Sequence, residues 1–235
     1  MLAIGGTKAE VTWRVEGGHL SGARLALLKQ PVSTAEPIKP LTGFEEAAFR
    51  LAAYVANNIL KQTGYDAIDA GAILQGSPNL EPDTEEELTL LTCRKQTVFA
   101  SATFDAVVTK AFDPSGIGAD TAHASALALF ADGLRATDPF VRFEMFYRVM
   151  EYFCPNPQND APRHLCNSPD FSGKVISEIR HQVRSWDKLR LRSVHPRPRG
   201  DPVLHRDDLR ALHEVRMQEP SMQRVARWLL DNPAP

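Results

Sequence analysis

The sequence predicts an α+β protein: a small mixed α/β region over residues 1–118, followed by an antiparallel α-helical bundle over residues 119–235. Three observations lead there. Short runs of alternating or β-branched residues dominate before Gly118, as in AEVTWRV. Apolar stripes at spacings of three and four dominate after it. Between the two textures lies FDPSGIGADT, rich in small and turn-forming residues, which marks the boundary.

The elements follow in order. AEVTWRV and ARLALLKQPV, separated by Gly-Gly and ended by Pro, are expected as two strands of a hairpin or small sheet. GFEEAAFRLAAYVANNILKQTG places Phe44, Ala48, Leu51, Ala52, Val55, Ile59 and Leu60 on one stripe, with Thr42 as cap and Gly64 as stop. AGAILQG, EELTLLTCRKQTVFASATF and DAVVTKAF are expected as further strands around the acidic loop GSPNLEPDTEEE. ADTAHASALALFADGLRA is a helix, and Asp138-Pro139 is the start signal of the next, FVRFEMFYRVMEYF, whose Phe140, Phe143, Phe146, Tyr147, Met150 and Phe153 face a core. CPNPQNDAPRHLCNSPD breaks that helix. Another helix is expected from Ser172 to Arg192 with Val175, Ile179, Val183, Trp186 and Leu189 or Leu191 inward. A last one is expected from Asp207 to about Leu230, interrupted near Pro220, with Met222, Val225, Ala226, Leu229 and Leu230 as its stripe.

The net charge is only −2, but it is unevenly spread. Between residues 174 and 199, Lys174, Arg180, Arg184, Lys188, Arg190, Arg192, Arg197 and Arg199 face only Glu178 and Asp187. Such a segment attracts a polyanion by releasing its counterions, or it is the solvated face of an amphipathic helix. No apolar run reaches the eighteen or so residues of a membrane span, and the opening MLAIGGTKAEVTW has no leader pattern. The three cysteines, Cys93, Cys154 and Cys166, are too scattered for a disulfide framework. The expectation is a cytoplasmic protein with no membrane partner. Cys154, His164 and Cys166 have metal-capable side chains but neither a Cys-x-x-Cys nor a fourth ligand, so no metal or other cofactor is expected.

Two stretches carry a family resemblance over residues 119–230. GLRATDPFVRFEMFYRVMEYF, with its Asp-Pro opening and Tyr-Arg-x-x-Glu-Tyr-Phe ending, resembles the helices that precede the catalytic element in HEPN proteins. RLRSVH, Arg190 to His195, resembles the late R-x4-6-H pattern of the same superfamily. HEPN proteins are helical bundles, many of them metal-independent ribonucleases of toxin–antitoxin and phage-defence systems; MauJ-like accessory proteins are a weaker match. The departures are Leu191, where a polar residue commonly follows the arginine, and Arg180-His181, whose next histidine is fourteen residues on.

The resemblance implies RNA cleavage through the substrate's own 2′-OH, with His195 moving a proton and Arg190 holding the phosphate. One histidine cannot serve as acid and base together, so it also implies a homodimer with a composite cleft, and an antitoxin or defence-system protein as a further partner. Arg192, Arg197, Arg199, Arg180 and His181 would bind RNA, and Arg148 and Glu151 would order the site from beneath. Plainer roles stand beside these. A histidine at a helix C-terminus is favoured by the macrodipole alone, and Arg148 and Glu151, three apart, can pair with each other. The whole bundle can equally serve as a non-catalytic binding scaffold.

Overall fold

The computed structural model describes residues 2–4, 7–27, 39–64, 85, 102–105, 112–117, 121–194 and 209–233. They fall into two compact units, Met1–Ala122 and His123–Pro235.

The first unit holds a four-stranded antiparallel meander, β1 (Leu2–Ile4), β2 (Thr7–Glu16), β3 (His19–Leu27) and β4 (Ala102–Asp105), in the order β1-β2-β3-β4. The expected hairpin is β2 and β3. Its two-residue turn is Gly17-Gly18, with φ of 58° and 80°, a left-handed pair that side-chain-bearing residues adopt only with strain. Along β2, Lys8, Glu10, Thr12 and Arg14 are exposed while Ala9 is buried and Val11 and Trp13 are half-buried, as period-two patterning demands. Register shifts between Arg14 and Val15, leaving Ser21 as the extra residue, and its hydroxyl donates to the Arg14 carbonyl at 3.1 Å. Of the further strands expected beyond residue 69, Ala102–Asp105 is described, Phe112 is described as buried but in no strand, and the remainder lies outside the described residues.

Helix α1 (Lys39–Thr63) contacts β1 and β2. Thr42 therefore sits inside the helix, not at its cap. The other end is as expected: Gly64 takes φ 69° and donates its N–H to the Leu60 carbonyl at 2.8 Å. Buried Asn58 and Thr63 satisfy themselves on the Tyr54 and Ile59 carbonyls one turn back. The Gln62 amide clamps the backbone of Asp113, donating to its carbonyl at 3.0 Å and accepting from its N–H at 3.1 Å. Asp113 in turn accepts from the Ser115 hydroxyl and N–H, which lower its pKa.

The second unit contains five described helices: α2 (Ala124–Arg135), α3 (Pro139–Phe153), α4 (Pro157–Leu165), α5 (Ile176–Val194) and α6 (Leu209–Asp231), with a 3-10 turn at Pro169–Phe171. Helix α3 is the hub, touching α2, α4, α5 and α6. Its start is the expected one: the Asp138 carboxylate accepts from Phe140 N–H at 2.8 Å and Pro139 occupies the first helical position. Phe140, Phe143, Phe146, Tyr147, Met150 and Phe153 all enter one core with Trp186, Met222 and Val225. The Trp186 indole N–H and the Gln182 amide both donate to Gln218 Oε1, so the buried ring keeps a hydrogen bond while joining α5 to α6.

Three local expectations need correction. CPNPQNDAPRHLCNSPD contains helix α4 rather than only a break; its short length and low hydropathy hid it. Helix α5 begins at Ile176, because Gly173 takes φ 79° and leaves Val175 59% exposed before the first turn. Helix α6 runs unbroken through Pro220, a ring on the exposed face, where water can satisfy the carbonyl one turn earlier; Ala211, Val215, Met222, Val225, Ala226 and Leu229 hold the other face in the core.

Helices α2 and α3 meet at Gly133, where an added Cβ would lie 2.6 Å from the buried Phe146 ring, which itself packs on Phe130 at 5.3 Å between centroids. Alanine at this helical position gains about 1 kcal/mol of propensity but overpacks the contact by more. Gly133→Ala should therefore lower stability by about 1–2 kcal/mol in urea unfolding. Equal or greater stability would mean that the two helices do not approach so closely.

Candidate functional site

Helix α3 is apolar on its core faces but carries Glu144, Tyr147, Arg148 and Glu151 at spacings of three and four, so all four line one side of it. Helix α5 brings Asp187 and Arg190, three apart, to the same place. The Arg190 side chain is 21% exposed and lies between two acids. Its Nη1 donates to Glu151 Oε1 at 2.9 Å, its Nε is 3.4 Å from Glu144 Oε2, and its guanidinium carbon stands 5.1 Å from the centre of the Tyr147 ring. Arg148 donates to the other oxygen of Glu144 at 2.9 Å, and the Glu144 side chain is only 8% exposed. Below, the Tyr147 hydroxyl donates to Asp187 at 3.1 Å and the Gln158 amide of α4 donates to the second Asp187 oxygen at 2.9 Å. Three helices thus meet in one network of charges.

Electrostatics follow from that crowding. Burial pushes the Tyr147 hydroxyl far above the usual phenol range, and the neighbouring Asp187 charge adds to it; the tyrosine is a fixed hydrogen-bond donor. Glu151 is also raised. Burial outweighs the attraction of Arg190, and repulsion from Glu144 adds to the burial.

The sequence places Arg148 against Glu151, three residues on. The structure places it against Glu144, four residues back, while Glu151 goes to Arg190. Arg190 is in the cluster. Arg180 is half-buried on α5 and His181 is exposed; neither belongs to this network. Arg192 lies in the last turn of α5, and His195, Arg197 and Arg199 lie outside the described residues. Sequence reasoning missed Glu144, Tyr147, Asp187 and Gln158 as polar partners. The available signal was Glu144 itself, an acid four residues before Arg148 on a helix otherwise rich in aromatic residues.

The metal-capable trio does not assemble. Cys154 is buried and its thiol is pushed up to about 11 by burial and by Asp160. Cys166 faces the Arg163 carbonyl, and His164 bonds the Asn232 carbonyl at 2.8 Å beside the Trp228 ring. Among the described residues no group of three His, Cys, Asp or Glu side chains could hold a metal ion, and no helix is long and apolar enough to cross a membrane.

The chain matches no family model, no curated protein and no solved structure.

The raised pKa of Glu151 gives a signed prediction. A carboxyl whose folded pKa lies above its unfolded value favours folding when protonated, and that advantage is lost as pH rises through the folded pKa. Glu151→Gln imitates the protonated form at every pH. Its stability relative to the parent should therefore increase as pH is raised from about 4 to about 7. Urea midpoints at both ends of that range measure it; a relative loss on raising pH would show that the Arg190 pairing dominates.

Proposed function

We propose that the helical unit is a HEPN-type, metal-independent endoribonuclease that acts as a cytoplasmic homodimer, under the control of an antitoxin or defence-system partner. The observation that carries this reading is the mounting of Arg190. It is held on two acids of α3 one turn before α5 ends at Val194, and His195 is the next residue in the sequence.

In the proposed reaction the 2′-OH attacks the adjacent phosphorus, the bond to the 5′-oxygen breaks, and a cyclic phosphate and a 5′-hydroxyl result. His195 of one protomer takes the 2′-OH proton, and the same residue of its partner supplies one to the leaving oxygen. With its guanidinium engaged by Glu144 and Glu151, Arg190 acts as a positioning residue for the end of α5. The phosphate charge is then met by Arg192, Arg197 and Arg199. The same engagement of Arg190 favours a second reading, a non-catalytic HEPN-like scaffold, because a phosphate would have to displace carboxylates to reach that guanidinium.

The experiment is cleavage of single-stranded RNA in EDTA, with DNA of the same sequence as control. The parent should cut RNA alone, and His195→Ala should lose about 10²-fold or more in rate while keeping RNA binding. Arg190→Lys should lower the maximal rate with little change in the concentration at half-maximal rate, since it disturbs alignment and not substrate contact. A parent that cuts no RNA, or a His195→Ala protein that cuts equally fast, overturns the ribonuclease reading and leaves the scaffold.

A further inference from the structure

The basic residues of α5 face different ways, with Arg180 half-buried between its inner and outer sides. With 3.6 residues per turn, Arg190 shares the inner side with buried Ile179, Val183 and Trp186. His181, Arg184 and Lys188 fall on the opposite side at spacings of three and four, and all three are exposed. Position 192, four residues beyond Lys188, continues the line into the last turn. Both acids of the helix are turned elsewhere: Glu178 accepts from the Val175 N–H at the helix start, and Asp187 is bonded to Tyr147 and Gln158. Among the described residues, no carboxylate pairs with Arg184 or Lys188.

We propose that this outer stripe is a track for the phosphate backbone of single-stranded RNA, which it guides toward the C-terminal end of α5. The inference rests on the ribonuclease reading and names where its substrate lies. Arg184 and Lys188 stand about 6 Å apart along the helix axis, about one turn, and neutralising a phosphate at each releases condensed counterions. The stripe is one side chain wide, which suits one strand rather than a duplex. Ser177 and Ser185 flank it and, among the described side chains, no large apolar one interrupts it, whereas a helix that lies on a membrane needs an apolar face in the lipid. Asp187 would cancel the stripe's charge if it faced outward; its bonds to Tyr147 and Gln158 keep it away.

The test measures fluorescence anisotropy of a labelled oligouridylate over a range of salt concentrations. It compares the parent with Arg184→Ala/Lys188→Ala and with the charge-keeping Arg184→Lys/Lys188→Arg, all in the full chain. Both positions are exposed, and matching thermal melts confirm that the fold is intact. Removing two phosphate contacts should weaken binding roughly tenfold at low salt and flatten the slope of log K against log salt by about 1.4. The charge-keeping pair should restore both. Parent-like affinity and slope in the alanine pair, with the parent still cutting RNA, overturn the track and leave the ribonuclease reading standing. A parent that neither binds nor cuts overturns both. Binding to vesicles rich in phosphatidylserine at least as tight as to RNA, and lost in the same alanine pair, replaces the track with a membrane surface.

Discussion

A half-buried guanidinium organises the helical unit. Arg190 on α5 cannot leave water without compensation, and α3 supplies it in three forms: the carboxylates of Glu151 and Glu144 and the face of Tyr147. Two of these groups have further partners. Glu144 also accepts from Arg148, and Tyr147 donates to Asp187, which Gln158 of α4 secures from the other side. The apolar surfaces of α3 and α5 can slide against one another at modest cost. The polar network cannot, because a shift by one residue would strand a buried charge. The ion cluster therefore sets register, and burial of Phe143, Phe146, Met150 and Trp186 supplies the larger share of cohesion.

That register bears on function because it fixes which way α5 presents its remaining charge. With Arg190 turned in, the spacing of the helix forces His181, Arg184 and Lys188 outward. One helix thus carries an inward arginine engaged by two carboxylates and an outward line of basic side chains, which the proposed reading assigns to a polyanion. The first unit follows a different logic. Its meander depends on backbone geometry, with Gly17-Gly18 closing the hairpin and Ser21 filling the bulge.

Where the sequence was legible, local signals and packing agreed. Asp138-Pro139 and the aromatic stripe after it define α3 to the residue, and Gly64 ends α1 as its lack of a Cβ allows. Where it was not, a local signal met a stronger tertiary one. Pro220 argues for a break, yet six buried side chains keep α6 continuous. Val175 fits the α5 stripe, but left-handed Gly173 delays the helix past it. Helix α4 has little apolar periodicity to reveal it. In the site, Arg190 and Glu151 stood out from the sequence, but their pairing did not. Arg148 has an acid at both three and four residues' distance, and only the position of α5 decides that Glu151 belongs to Arg190 and Glu144 to Arg148.

The most direct test of this account is a double-mutant cycle between α3 and α5, using Glu144→Gln, Arg190→Met and the two together, read by urea unfolding at neutral pH. If the cluster sets the register, each single change strands a partner and costs more than its share, so the double variant should be more stable than the sum predicts by about 1–3 kcal/mol. Additivity within about 0.5 kcal/mol would contradict the account. Arg190 would then be an independent surface arginine, and the packing of the two helices would need no charge to align it.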